Sequence, residues 1–276
     1  MEPSFEKGHR LGSRRTPGGA AVTYCGQPGI TKRLNSGRGH SYRLDGEKVD
    51  GVTTVIGDGV PKNLTNWAAR TVAEYAIKHR SAWDHLDDPG AIDALKNAHY
   101  RDRDAAANRG TQVHNLAEKL IHGEEVDVPE ELTGHVDSYL KFLDEWQVEP
   151  IVVEGVVFSR KHRYMGTLDL IGKLRGRTVL ADIKTTRSGI FGEVALQLAA
   201  YRYAEGYLGS RKNEELPMPD VESCCAIWVR ADGYDVVPVT AGPAQFRAFL
   251  YAQQVAAFCR TSRDLVGDVV TPEDWS

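Results

Sequence analysis

The 276-residue chain has no apolar run long enough to cross a bilayer. Its opening, MEPSFEKGHR, is polar and mixed in charge, unlike the apolar heart of a signal peptide. Cysteine is scarce: Cys25, the adjacent pair Cys224 and Cys225, and Cys259, with no C-x-x-C among them. Neighbouring residues of a strand point to opposite faces, so the adjacent pair suits neither a disulfide framework nor a zinc site. The chain also lacks G-x-x-x-x-G-K-[ST], H-E-x-x-H, G-x-S-x-G and any internal repeat, which argues against nucleotide-driven motors, zincins and serine hydrolases. A 41% hydrophobic content is enough for a substantial core. The expectation is a soluble, cytoplasmic protein with no membrane partner.

What is present is charge in an uneven pattern. The net charge is only −4, yet Lys7 to Leu44 holds eight Lys or Arg and no acid. Arg160 to Arg187 holds eight more against two acids, Asp169 and Asp182. Such segregation can place a positive cleft on an acidic body, a footprint of polyanion binding, or can merely mark solvated faces. Within the second segment, Arg160, Lys161, Arg163, Arg175, Arg177 and Arg187 are the candidates for holding a nucleic-acid backbone.

Residues 1–40 are rich in Gly, Arg and Ser and read as a basic, flexible arm ahead of one domain over 41–276. In YRLDGEKVDGVTTVI an Asp-Gly pair between short alternating runs signals a hairpin. Helical spacing follows over NLTNWAARTVAEYAIKHRSAW, with two further helices after Gly90, the second starting near Thr111, and another over LTGHVDSYLKFLDEWQ. The helical part thus covers 60–148. From Pro150 the pattern turns to strands: IVVEGVVFS, YMGTLDLIGKL and TVLADIKTT, then a helix over EVALQLAAYRYAEGYL, strands SCCAIWVR and YDVVPV, and a closing helix. This predicts an α/β fold with a central mixed sheet flanked by helices, its core over 150–262.

Asp169, Asp182 and Lys184 stand in the apolar strands of that core. Burying an ionised group is costly unless it is paired or bound to something. Either the three satisfy one another, or a metal and a substrate complete the set. Asp182 and Lys184 are two apart and leave one face of their strand, and the GKLRGR turn returns Asp169 beside them. Glu154, on the preceding strand, can reach the rim. Two carboxylates and the Ile183 carbonyl are hard oxygen ligands suited to magnesium or manganese, and a lysine beside them can offset charge on a phosphate. Gly166, before Asp169, marks either a close backbone approach or a bulge. Gln197 and Tyr201 share one face of the next helix. His114 is either a packed core residue or a further ligand. Trp67, Trp83 or Tyr164 could stack an unpaired base, with core packing the alternative for the tryptophans.

Taken together, GTQVH (110–114), GTLD (166–169), DIK (182–184) and QLAAY (197–201) resemble, in order, the motifs of the PD-(D/E)XK nuclease superfamily, in its RecB-like and phage-exonuclease branch. The resemblance spans about residues 51 to 208. It implies a restriction-endonuclease-like core with an N-terminal helical elaboration. It implies that His114, Asp169, Asp182 and the Ile183 carbonyl bind one or two Mg2+ or Mn2+ ions, that Lys184 is catalytic, and that Gln197 and Tyr201 position the scissile strand. Glu154 matches an acid on the first core strand. Some relatives carry an iron–sulfur cluster on closely spaced cysteines; Cys224, Cys225 and Cys259 lack that spacing, so none is expected. The implied activity is a metal-dependent DNase, an exonuclease of phage or bacterial recombination, repair or degradation. Any helicase or single-strand annealing partner would be a separate chain. The rival readings are a silent nucleic-acid-binding or assembly protein on the same fold, an endonuclease, or an RNase.

Overall fold

The computed structural model describes residues 22–24, 31–34, 40–62, 64–209 and 214–275. Most of the segment read as a basic arm, residues 1–40, lies outside the described residues. Two pieces of it are strands, β1 (Val22–Tyr24) and β2 (Thr31–Leu34), which pair antiparallel with each other and onto β3 (His40–Leu44). β3 turns through Asp45 (φ 52°) and Gly46 (φ 82°) into β4 (Glu47–Gly51), two successive left-handed residues that an Asp-Gly pair tolerates.

The next residues depart from expectation. VTTVI is β-branched, which favours a strand, yet Val52–Gly59 is helix α1. Its apolar positions fall at Val52, Val55 and Ile56, a helical stripe that the core buries. Burial of that stripe outweighs the few tenths of a kcal/mol of propensity at each residue. α2 (Thr65–Lys78) and α3 (Asp88–Lys96) bury no residue and lie against each other and against α4 (Ala98–Ile121). α4 is continuous, so no helix starts at Thr111. Gly110, inside it, costs about 1 kcal/mol in a helix interior but brings the helix within 3.4 Å of Thr185 Oγ1, measured from where a Cβ would stand.

After α5 (Thr133–Glu145), strands β5 (Glu149–Ser159), β6 (Tyr164–Leu174) and β7 (Arg177–Lys184) form an antiparallel meander. α6 (Glu193–Arg202) crosses over, two short strands β8 (Gly206–Leu208) and β9 (Glu215–Pro217) extend the β5 edge, and β10 (Ser223–Arg230) returns parallel to β7. β11 (Gly233–Pro238) closes that edge and α7 (Pro243–Thr261) ends the core. The molecule is therefore α/β, a mixed sheet with helices on both faces. Val52, Leu168, Leu180, Leu198, Tyr201 and Phe249 pack under α1, α6 and α7. Tyr139, Phe142, Leu170, Ala181 and Ile183 pack on the other face, under α4 and α5. Cys224 and Cys225 belong one to each layer, as alternation requires. No helix among the described residues is long and apolar enough to cross a membrane.

The charge segregation of the sequence is largely undone in space. Arg160 bonds both Glu215 oxygens at 2.8 Å and also meets Asp45, while Arg163 pairs with Glu47. Arg175 donates to the Glu145 carbonyl, Arg177 lies 3.8 Å from Glu222, and Arg187 lies 3.9 Å from Asp102. Of the six cations read as backbone contacts, Lys161 and Arg175 are exposed with no ion pair among the described residues, and Arg177 and Arg187 hold only their long ones. Arg160→Ala is accordingly expected to lower thermal stability by about 1 kcal/mol, roughly 2–4 °C.

Candidate active site

The site forms where β6 and β7 part. Their pairing ends at Leu170 and Ala181, while β7 continues to Lys184 along β10, with Asp182 beside Ala226 and Lys184 beside Trp228. β6, in the other direction, joins β4 at Tyr164 and Met165. The fork strands the backbone groups of Ile183, which side chains then satisfy. Asp169 Oδ2 accepts from the Ile183 N–H at 2.7 Å, and His114 Nε2 donates to its carbonyl at 3.0 Å. A buried peptide group left without a partner costs as much as a lost hydrogen bond, so both side chains also hold the fork open.

One wall is acidic. Glu154 lies between Val153 and Gly155, whose partners are Leu170 and Leu168, so it faces Asp169 across the two strands. Its φ of 48° in the middle of a strand is a left-handed conformation that costs a non-glycine residue about 1–2 kcal/mol. His114 Nδ1 stands 3.5 Å from Asp169 Oδ1 and 3.9 Å from Glu154 Oε1. One ligand atom from each of His114, Glu154 and Asp169 falls within 4.8 Å of the other two. Burial alone would lower the His114 pKa, but Asp169, Glu154 and Asp182 hold it well above the usual imidazole value. The protonated ring is the cation of this wall. Asp169 is correspondingly held below its usual value: burial would raise it, but His114, Lys184 and the Ile183 amide prevail.

The other wall carries Asp182 and Lys184. Asp182 is 1% exposed, the one charged residue fully buried among the described residues. Burial pushes its pKa up to about 6, against the pull of Lys184. Lys184 Nζ forms an ion pair with Asp182 Oδ2 at 2.6 Å. Gln197 ties the wall together, donating to Asp182 Oδ1 at 2.8 Å and accepting from Lys184 Nζ at 3.2 Å. Lys184 stays an ammonium, because Asp182 and Asp169 outweigh the desolvation that would lower its pKa.

The arrangement corrects parts of the sequence reading. Tyr201 is 2% exposed and contacts Gln197 through its hydroxyl at 3.3 Å, so it orients the amide from beneath instead of meeting a strand in the cleft. Gly166 neither bulges nor admits a polymer backbone; a Cβ there would stand 2.6 Å from Tyr201 Cε1, so the glycine seats that ring. Tyr164 is wholly buried, donates to the Ala200 carbonyl and cannot stack a base. Trp67 packs its edge on His99, and Trp83 donates to the Ala76 carbonyl, both within the helical part. Glu154, read from the sequence as a rim residue and candidate metal or outer ligand, stands in the cluster with His114 and Asp169. Sequence reasoning also passed over Trp228, which lies beside Lys184 and donates to the Thr186 carbonyl at 2.7 Å. Its register with Lys184 follows from the parallel crossover, which no local signal announces.

No family model matches the chain, and no curated protein matches it either. What fold and site define together is an α/β protein with a forked sheet, an acid–histidine cluster on one side of the fork and a buried lysine–aspartate pair on the other.

Proposed function

We propose that the chain is a divalent-metal-dependent DNA nuclease with a restriction-endonuclease-like core, an exonuclease more than an endonuclease. The observation that carries this reading is the pairing of Lys184 with Asp182 at the same fork that gathers Asp169, Glu154, His114 and the Ile183 carbonyl. A binding scaffold gains nothing from burying a lysine and an aspartate beside a second carboxylate, since an apolar pair of similar volume is often at least as stable.

The donors fit magnesium or manganese. Carboxylate and carbonyl oxygens suit hard cations, and an imidazole is compatible with manganese, so the donor set gathered at the fork fits such an ion. Asp169, Glu154, His114 and the Ile183 carbonyl would hold the ion, with Asp182 beside them. A bound ion would supply Lewis acidity toward the phosphoryl oxygen and lower the pKa of water. The protein's own part is positional and electrostatic. Lys184 keeps its positive charge at Nζ, where it can orient the attacking water and offset charge accumulating on the phosphate. Gln197 fixes Lys184 and Asp182 in one geometry, and Tyr201 fixes Gln197. Trp228 holds the loop after Lys184 in place through the Thr186 carbonyl, and Gly110 leaves room for Thr185 beside α4.

The test is degradation of end-labelled linear, nicked and closed-circular DNA in Mg2+ or Mn2+, with an RNA control. Loss of linear DNA with circles spared supports the exonuclease. Rapid cutting of circles makes the protein an endonuclease, and no metal-dependent cleavage of any substrate overturns the reading. An independent measure is metal-dependent stability. Manganese at a hundredfold excess over its dissociation constant should stabilise the chelator-treated protein by about 2.7 kcal/mol. Because His114 must give up its proton to bind an ion, the shift in melting temperature should be larger in alkaline than in mildly acidic buffer. Asp169→Ala should abolish it.

A further inference from the structure

Beside the fork lies a half-enclosed pocket of about 260 Å3, bounded by α1, α6 and the loop between β7 and α6. Lys184 and Gln197 form part of its wall, so it opens directly onto the lysine side of the site. The rest of the lining is mostly apolar: Ile56 and Val194 are buried, and Phe191 stands 49% exposed. Phe191 sits two residues after Gly189, whose φ of 96° turns the loop and whose carbonyl accepts from Thr186 Oγ1 at 2.6 Å. Lys62 and Glu193, 3.2 Å apart, add an ion pair to the lining.

Resting on the nuclease reading, we infer that this pocket receives one unpaired nucleobase adjoining the scissile phosphate. Three features select that occupant. An exposed aromatic ring beside buried aliphatic side chains offers a stacking face, which every base can use. The ammonium of Lys184, at the mouth toward the fork, supplies the charge that a phosphate on the same nucleotide complements. The volume falls just below the range of drug-sized pockets, a size that suits one base, and a base can lay its face on Phe191 only after leaving its stack. The preferred substrate is therefore single-stranded or frayed DNA, and a blunt duplex reacts only as fast as its end opens.

The experiment compares wild type with Phe191→Ala and Phe191→Trp, both changed at an exposed position. Single-stranded oligonucleotides carry either a normal base or an abasic residue next to the cleaved bond. Removing the base should slow wild type by about 5- to 150-fold, the range of one base–aromatic stack. It should have little further effect in Phe191→Ala, and Phe191→Trp should restore sensitivity. In parallel, an oligonucleotide with 2-aminopurine at that position is titrated in Ca2+, and quenching of its fluorescence should be lost in Phe191→Ala. Cleavage that ignores both the abasic residue and Phe191 overturns the pocket and leaves the nuclease standing. Quenching that depends on Phe191 without cleavage in any metal supports the pocket and overturns the nuclease. Neither cleavage nor quenching overturns both.

Discussion

Lys184→Ala should lose about 10²–10³-fold in turnover on linear DNA, the usual cost of removing one preorganised charge or donor from a reacting centre. The loss follows from position. The ammonium lies 2.6 Å from a buried carboxylate, is braced by Gln197, and lies in a wall exposed to any phosphate entering the fork. Ground-state binding rests on other groups, so DNA affinity measured in Ca2+ should change only a few-fold. Truncation also leaves Asp182 without its cation, and the carboxyl, already raised to about 6, should then hold its proton to higher pH. Neutralisation of Asp182 should let the variant fold, which circular dichroism and thermal melting would check. Lys184→Met, with a side chain of similar length, controls for packing and should be equally inactive. A folded Lys184→Ala protein that degrades DNA at the wild-type rate would remove Lys184 from the chemistry, and with it the whole assignment of the site.

The second large effect concerns the scaffold. Phe249 is fully buried on α7, with its ring 5.1 Å from Tyr164 at 74° and 6.4 Å from Phe246. Tyr164 in turn donates to the Ala200 carbonyl of α6 at 2.7 Å, so one aromatic cluster joins the closing helix, strand β6 and the helix that carries Gln197. Phe249→Ala should cost about 3–5 kcal/mol, transfer and cavity together. Urea unfolding would show it as a lower midpoint with the slope unchanged. A loss under about 1 kcal/mol would mean that α7 collapses into the cavity and that the helix is not locked in register. Because the cluster lies on the sheet face opposite His114, manganese binding should survive the substitution wherever the variant remains folded.

Much of this was legible in the chain for definable reasons. The meander of β5, β6 and β7 declared itself through apolar runs and tight turns, and D-x-K spacing alone put Asp182 and Lys184 on one face. His114 and Gln197 came from motif order. The chain could not show that Asp45, Glu47, Glu205, Glu215 and Glu222 travel from distant segments to surround the basic stretch. Local charge counting cannot see across the sheet. Nor could β-branched residues 52–56 announce a helix, because the tertiary core decides there. Asp169 is half legible. Its acidity was plain, but its hydrogen bond to the Ile183 amide depends on where two strands separate, and no run of residues encodes that directly.

Glu154 sets a limit on redesign. Glycine would occupy its left-handed backbone with no steric penalty, so a procedure that optimises folding free energy alone would write glycine there. That edit should yield a sturdier protein with a poorer cation site, because the conformation that burdens the chain is the same one that places a carboxylate opposite Asp169. Any thermostabilised version of this molecule must therefore treat position 154 as fixed and find its stability elsewhere.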